Sequence, residues 1–349
     1  MKKYSIVLLL LWLIGLIASC SNTLTFNQKG SKVYGSETCD VVEITFRSER
    51  FKIVGDLRFP HDDSLYPAVI LVHGSGDATR EGAVNFEPLI EIFLRNGYAV
   101  FSWDKPGSGA STGEFESGQT LYQRGQILAD GIDALSEHPR IDSSKLGVWG
   151  VSQAGWVIPH ALELNGKIGF MIIVGGGGED SIEQMAYQVG QKVICDGGTK
   201  EQAEIVEQHW SQWTKATDYD SYKEALETIL DIPGVQEYTG LTITAEDNWS
   251  PWPQDIDAFM NPMDVITHTT IPVLALFGEF DKNVDPIQGA EAYKLALENA
   301  GNQHYRVEII EGAGHVLTTT KTGCIGESGG KDYIPEYLNI LEEWVQGLN

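Results

Sequence analysis

The chain alternates between short apolar runs and longer stretches with helical spacing. Compact runs stand at Ala68–Val72, Ala99–Trp103, Leu146–Trp149, Phe170–Val174, Pro272–Phe277 and Tyr305–Ile310. The middle runs show no polar–apolar alternation, as expected of strands covered on both faces. Helical patterns fall between them near 86–95, 119–137, 153–164 and 288–299, and a last amphipathic one covers 335–346. Strand–helix alternation of this kind predicts a doubly wound, mostly parallel α/β sheet. Ahead of it, 41–46 and 51–58 read as two strands joined by a short polar turn at 47–50.

One interval breaks the rhythm. Residues 179–270 carry helical patterns, such as 181–194 and 200–216, but no strong buried strand. That is far too long for an αβ connection, and it predicts a helical cap inserted in the α/β core. The expected organisation is a core of 41–178 and 271–349, the cap at 179–270, and a polar tether at 20–40. Trp210, Trp213, Tyr219, Tyr222, Tyr238, Trp249, Trp252 and Phe259 crowd the cap. They are expected chiefly to form its own core, with an apolar acyl pocket as the sharper alternative.

The first residues follow a different logic. Met1-Lys2-Lys3 is basic, Ile6–Ala18 is almost purely apolar, and Ile17-Ala18-Ser19-Cys20 ends the stretch. This describes a secretory signal over 1–19 rather than a membrane span, which needs about 20 apolar residues. The ending resembles the bacterial lipobox. That resemblance implies a lipid on Cys20 and attachment to a membrane of the cell envelope.

Composition changes the picture little. The formal charge is −25, from 24 basic and 49 acidic residues, and loss of Lys2 and Lys3 takes it to −27. Such a surface argues against nucleic acid and against docking on anionic lipid through a basic face. Of the remaining cysteines, Cys39, Cys195 and Cys324, one pair could form a disulfide outside the cytoplasm, and the spacing does not say which. No metal-site or cofactor pattern is present, so neither is expected.

The candidate chemistry centres on Gly150-Val-Ser152-Gln-Ala154-Gly155, where a buried strand passes through a tight turn into a helix. A nucleophile elbow has this context, lifting a serine hydroxyl above the sheet. Ala154 stands where a second glycine is usual. The acid and the base should follow in chain order. Asp281 lies just past the strand ending at Phe277, and His315 lies in a Gly-rich loop after the last strand. Asp285 and Glu279 compete with Asp281, although Asp285, beside Pro286, is better placed to open the next helix. Two backbone N–H groups should form an oxyanion hole. One is expected from Gln153. The other comes from His73-Gly74-Ser75-Gly76, with Ser75 first and Gly76 as runner-up. Nearby, Asp77 and Arg80 read as a surface ion pair rather than a clamp for a charged substrate end. Gly175–Gly178 is expected to bend the chain into the cap, with a hinge or substrate-facing floor as the alternative.

Together with Asp104-Lys-Pro-Gly107-Ser-Gly109 and Gly314-His315, these segments resemble the α/β-hydrolase superfamily from about residue 41 onward. More narrowly they resemble its bacterial esterase and prolyl-oligopeptidase-like group with a helical cap. The resemblance implies a serine hydrolase with Ser152, Asp281 and His315 as triad, acting without a cofactor. A carboxylic ester of a small or medium acyl group is the expected substrate. A peptidase or amidase on the same triad is the alternative, and a non-catalytic ligand-binding lipoprotein is a third reading.

Overall fold

The computed structural model describes residues 24–62, 64–114, 120–253, 259–324, 327 and 332–348. The expected signal segment and Cys20 lie outside these residues. Among the described residues no helix is long and apolar enough to cross a membrane.

Among the described residues nine strands form one sheet: β1 (Thr25–Tyr34), β2 (Glu37–Ser48), β3 (Phe51–Pro60), β4 (Tyr66–Val72), β5 (Ala99–Trp103), β6 (Ile141–Val151), β7 (Ile168–Val174), β8 (Val273–Gly278) and β9 (Tyr305–Ile310). Their spatial order is β1-β2-β3-β5-β4-β6-β7-β8-β9. From β1 to β5 neighbours run antiparallel, and from β5 to β9 they run parallel. The chain moves to one side of β4 to make β5, then crosses to the other side for β6 onward. This reversal creates a crevice beyond the carboxyl ends of β4 and β6.

The strands explain the unbroken apolar runs. Along β8, Val273, Ala275 and Phe277 enter one core, while Leu274 and Leu276 enter the opposite one. The first core is closed by α2 (Leu121–Ser136), α3 (Ala154–Leu164) and α9 (Pro286–Asn299). The second is closed by α1 (Glu87–Arg95) and α10 (Pro335–Gly347). Local signals set the helix starts. Thr120 and Gln123 form a reciprocal capping box on α2. Asp285 accepts from the Ile287 and Gln288 amides ahead of α9, with Pro286 at its first position.

Residues 25–40 correct the expected tether. β1 pairs with β2 from Thr25↔Thr45 to Tyr34↔Glu37, so this stretch belongs to the sheet. Its side chains are nearly all exposed. An edge strand of this kind is held by backbone hydrogen bonds, and hydrophobic periodicity does not report it. Lys29 and Lys32 reach Glu43 and Asp56, and a register shift falls at Gln28/Gly30. Charges and bulges are common guards on an open edge.

Between β7 and β8 the chain runs through α4 (Ser181–Cys195), α5 (Lys200–Thr214), α6 (Tyr219–Leu230), α7 (Val235–Thr239) and α8 (Met263–Ile266). The first four share a third apolar cluster that buries Trp210, Trp213 and Tyr222, with Tyr219, Tyr238, Trp249 and Phe259 packed against it. Trp252 is more open and, with Trp213, Tyr238 and Met185, lines a separate cleft of about 460 Å³. Ile266 of α8 joins the main core instead. Cys195, the last residue of α4, is bonded to Cys324 in the loop that follows His315. Cys39 is buried and unpaired.

Candidate active site

The register of the central strands brings the candidate loops together. Val72 stands opposite Gly150, and Val151 opposite Val174. The chain segments after β4, β6 and β7 therefore emerge side by side. At the end of β6, Ser152 adopts a left-handed backbone with φ 56°. Its N–H donates to the Val174 carbonyl at 2.8 Å, and its carbonyl accepts from Gly155 at 2.9 Å, opening α3. A Cβ at Gly150 would stand 2.6 Å from both Ala154 Cβ and Ile158 Cδ1, so the strand–helix approach needs glycine there and tolerates alanine at 154. Gly155 is needed for a second contact: a Cβ on it would meet the Gly176 backbone at 2.3 Å.

Ser152, His315 and Asp281 meet in one relay. His315 Nε2 lies 2.9 Å from Ser152 Oγ, and its Nδ1 lies 2.8 Å from Asp281 Oδ2. Asp281 is fully buried, and its Oδ1 accepts from the Asn283 and Val284 amides at 2.8 and 3.0 Å. The carboxylate is thus fixed from both ends. It favours the tautomer in which Nδ1 carries the proton and Nε2 is free to accept the serine proton. The competing acids are occupied elsewhere: Asp285 caps α9, and Glu279 accepts from the Gly312 amide at 2.9 Å.

Gly175–Gly178 form the bed of this relay. A Cβ on Gly176 would sit 2.1 Å from the Ser152 carbonyl oxygen, and one on Gly175 would sit 2.5 Å from the His315 carbonyl oxygen. The bend out of β7 therefore also serves close packing under the serine and histidine. From the cap side, Tyr187 donates to the Asp281 carbonyl at 3.0 Å, and Gln184 donates to that of Asn283 at 2.6 Å.

Across the crevice, Gly74 approaches Ser152 so closely that its Cβ would be 3.2 Å from the serine Cβ. His73 is buried, and its Nε2 lies 2.7 Å from the Trp103 carbonyl. Burial pushes its imidazole down to about 3, so the ring stays neutral. Two cations hold the same segment. Lys105 Nζ donates to the Gly74 and Gly76 carbonyls at 2.5 Å each. Arg124 Nη2 donates to the His73 carbonyl at 2.6 Å and to that of Gly74 at 3.1 Å, while Nη1 donates to Gln153 Oε1. Arg80 corrects the expected surface pair with Asp77. It is largely buried and bound to Asp104 at 2.7 Å, Asp56 at 2.6 Å and Glu43 at 3.3 Å. Asp104 in turn receives the Arg80 and Ala110 amides at 2.7 Å each. Charge in this loop is spent on holding its shape.

Ser75, Ser152 and His315 open on a cavity of about 160 Å³, walled by Val84, Phe86, Val316 and Asn283. Sequence reasoning missed Asn283, Lys105 and Arg124. Arg124 had a usable signal, since it interrupts the apolar face of α2 formed by Leu121, Leu128 and Ile132. Among the described residues no cluster of His, Cys, Asp and Glu is placed to hold a metal ion.

Comparison with known proteins defines the class. Acetyl xylan esterase from Paenibacillus sp. R4 superposes with a TM-score of 0.55 at 13% identity, covering 93% of this chain and 88% of that one. Pyrococcus furiosus esterase Pf2001 gives 0.55 at 18%, covering 90% and 91%. With the mostly parallel sheet and its flanking helices, this likeness establishes the α/β-hydrolase fold. Residues 32–315 match the X-Pro dipeptidyl-peptidase (S15 family) model. The chain belongs to that family and is a hydrolase of the serine type. No curated protein sequence matches it.

Proposed function

We propose that the chain cleaves carboxylic esters of short acyl groups through Ser152, His315 and Asp281. The observation that carries this reading is the relay from Ser152 Oγ through His315 to buried Asp281. In the first step His315 Nε2 takes the Ser152 proton as Oγ attacks the acyl carbon. The carbonyl electrons move onto oxygen, and the N–H groups of Gln153 and Ser75 receive the resulting charge. Collapse expels the alcohol, which takes the proton from His315. Water, activated by the same imidazole, then releases the acid and restores Ser152.

An ester is favoured over a peptide by the cavity. It is small, and among its described lining residues none is Asp or Glu. A dipeptidyl-peptidase must offer a counter-charge to the substrate's N-terminal ammonium group, because an unpaired buried charge is costly. The family match favours the second reading, a peptidase using the same relay. A panel of p-nitrophenyl esters, from acetate to octanoate, set against X-Pro nitroanilides separates them. Short esters are expected to be turned over best, and exclusive cleavage of the nitroanilides would replace the ester reading with the peptidase one. A binding protein without activity would leave Ser152 unlabelled by a fluorophosphonate.

We further propose that the enzyme is held on a membrane of the cell envelope by a lipid on Cys20. The lipobox-like ending at Ile17–Cys20 supports this, and so does the Cys195–Cys324 disulfide, since such bonds persist in oxidising compartments. Mass spectrometry of the mature N-terminus is expected to find a lipidated Cys20. An unmodified cysteine or a cut elsewhere would overturn the anchor.

A further inference from the structure

Lys105 and Arg124 are cations taken out of water, with 4% and 7% of their surfaces exposed. A buried charge ordinarily persists beside an opposite charge. Among the described residues, neither makes an ion pair. Their hydrogen-bond partners are the carbonyls of His73, Gly74 and Gly76 and the Gln153 carboxamide. Neither cation is among the described residues lining the cavity above Ser152, so both stand behind the 73–76 segment.

That placement sets the direction of one amide. In a trans peptide the C=O of one residue and the N–H of the next point in opposite directions. The Gly74 carbonyl faces both cations, so the Ser75 N–H faces away from them. On that side lie Ser152, against which Gly74 packs, and the cavity that Ser75 lines. Among the described residues no such contact orients the Gly76 N–H, whose peptide carries the Ser75 carbonyl. A cation on a carbonyl oxygen also polarises its peptide, making the N–H a stronger donor. Arg124 reaches at the same time to the side chain of Gln153, the residue expected to supply the second donor.

We propose that Lys105 and Arg124 are positioning residues that aim and polarise the Ser75 N–H toward the oxyanion formed at Ser152. The inference rests on the serine-hydrolase reading of the site. It explains why two buried cations are kept on the carbonyls of this segment, although the nearest carboxylate acting on Lys105, that of Asp77, makes no ion pair with it.

The full chain is compared with Lys105→Met, Lys105→Arg and Arg124→Lys. The readouts are kcat and KM on a short p-nitrophenyl ester, and affinity for a trifluoromethyl ketone whose serine adduct carries the oxyanion. Lys105→Met is expected to lower kcat by about 10²–10³, the range for losing one oxyanion donor. KM should stay within about threefold, and ketone affinity should fall in step with kcat. Lys105→Arg should recover at least about tenfold of the loss, and Arg124→Lys, which keeps its charge, should lose less than Lys105→Met does. A pH profile adds an independent readout. Burial and the nearby Arg124 charge, opposed by the Asp77 carboxylate, bring the Lys105 ammonium down to about 7, so wild-type kcat should decline above that pH, and Lys105→Arg should lose the decline. Should Lys105→Met fail to fold, the same decline in Lys105→Arg as in wild type would overturn the inference. So would a kcat for Lys105→Met within about threefold of wild type, or a loss of kcat without loss of ketone affinity. A wild-type chain that forms no adduct with the ketone or a fluorophosphonate would overturn the hydrolase reading itself.

Discussion

Ser152→Ala is expected to lower kcat for ester hydrolysis by about 10⁴–10⁶ while the chain still folds. The reason is specific to the elbow. In the proposed mechanism His315 acts on the leaving alcohol and on water only after Ser152 Oγ has attacked, so removing that atom disables the whole relay. The backbone there is held independently, by Val174 accepting from the Ser152 amide and by Gly155 donating to its carbonyl. Those bonds survive the substitution. A companion variant separates chemistry from strain. Ser152 sits at φ 56°, where a residue with a Cβ is strained, by about 1–2 kcal/mol. Alanine keeps that strain, but glycine relieves it. Ser152→Gly should therefore be as inactive as Ser152→Ala yet unfold at a higher temperature than it does. Activity is read with p-nitrophenyl acetate and stability by thermal unfolding. Retention of more than about 1% of kcat in a clean Ser152→Ala preparation would remove Ser152 from the nucleophile's role.

The same elbow shows why part of this molecule was legible in its sequence. The parallel strands announced themselves because both faces are covered, so Val273–Phe277 has no polar position to interrupt it. Ser152, Asp281 and His315, which the fold brings into contact, could be named as candidates because each follows a strand end, and open α/β sheets gather their chemistry there. What stayed hidden was whatever depends on three-dimensional contact without a linear pattern. β1 is exposed and polar, its cohesion lying in backbone bonds to β2. α7 and α8 are only five and four residues long, too short for a helical period to register. Lys105 belongs to a Gly-rich loop that reads as plain turn chemistry, and nothing in its spacing says that its ammonium folds back onto Gly74 and Gly76. The glycines at 175–178 were expected to bend the chain. Their second duty appears only when Ser152 and His315 are set against them.

Loss of the Cys195–Cys324 bond is expected to destabilise the fold by about 5 kcal/mol in the chain-entropy model, because the bond closes a loop of 129 residues. At the entropy of unfolding typical for this chain length, that corresponds to a fall of roughly 5–10 °C in Tm. The bond joins the end of α4 to the loop that follows His315, so it links the cap to the segment carrying that histidine. Other contacts cross the same seam. Tyr187 holds the Asp281 carbonyl, and Lys282 donates to Gln191 at 3.0 Å. The loop also has its own anchors: Glu327 accepts from Thr320, Lys321 and Thr322, and these donors hold its carboxyl down at about 2. Because these contacts remain when the sulfurs part, reduction should cost stability more than rate, with kcat changing by less than about tenfold at a temperature where the fold persists. Thermal unfolding with and without a dithiol reductant, and in Cys195→Ser with Cys324→Ser, measures the first quantity, and ester turnover measures the second. An unchanged Tm in the double variant would show that the bond adds nothing to stability. A collapse of kcat at full folding would show instead that the cap holds His315 in place through the disulfide rather than through Tyr187 and Lys282.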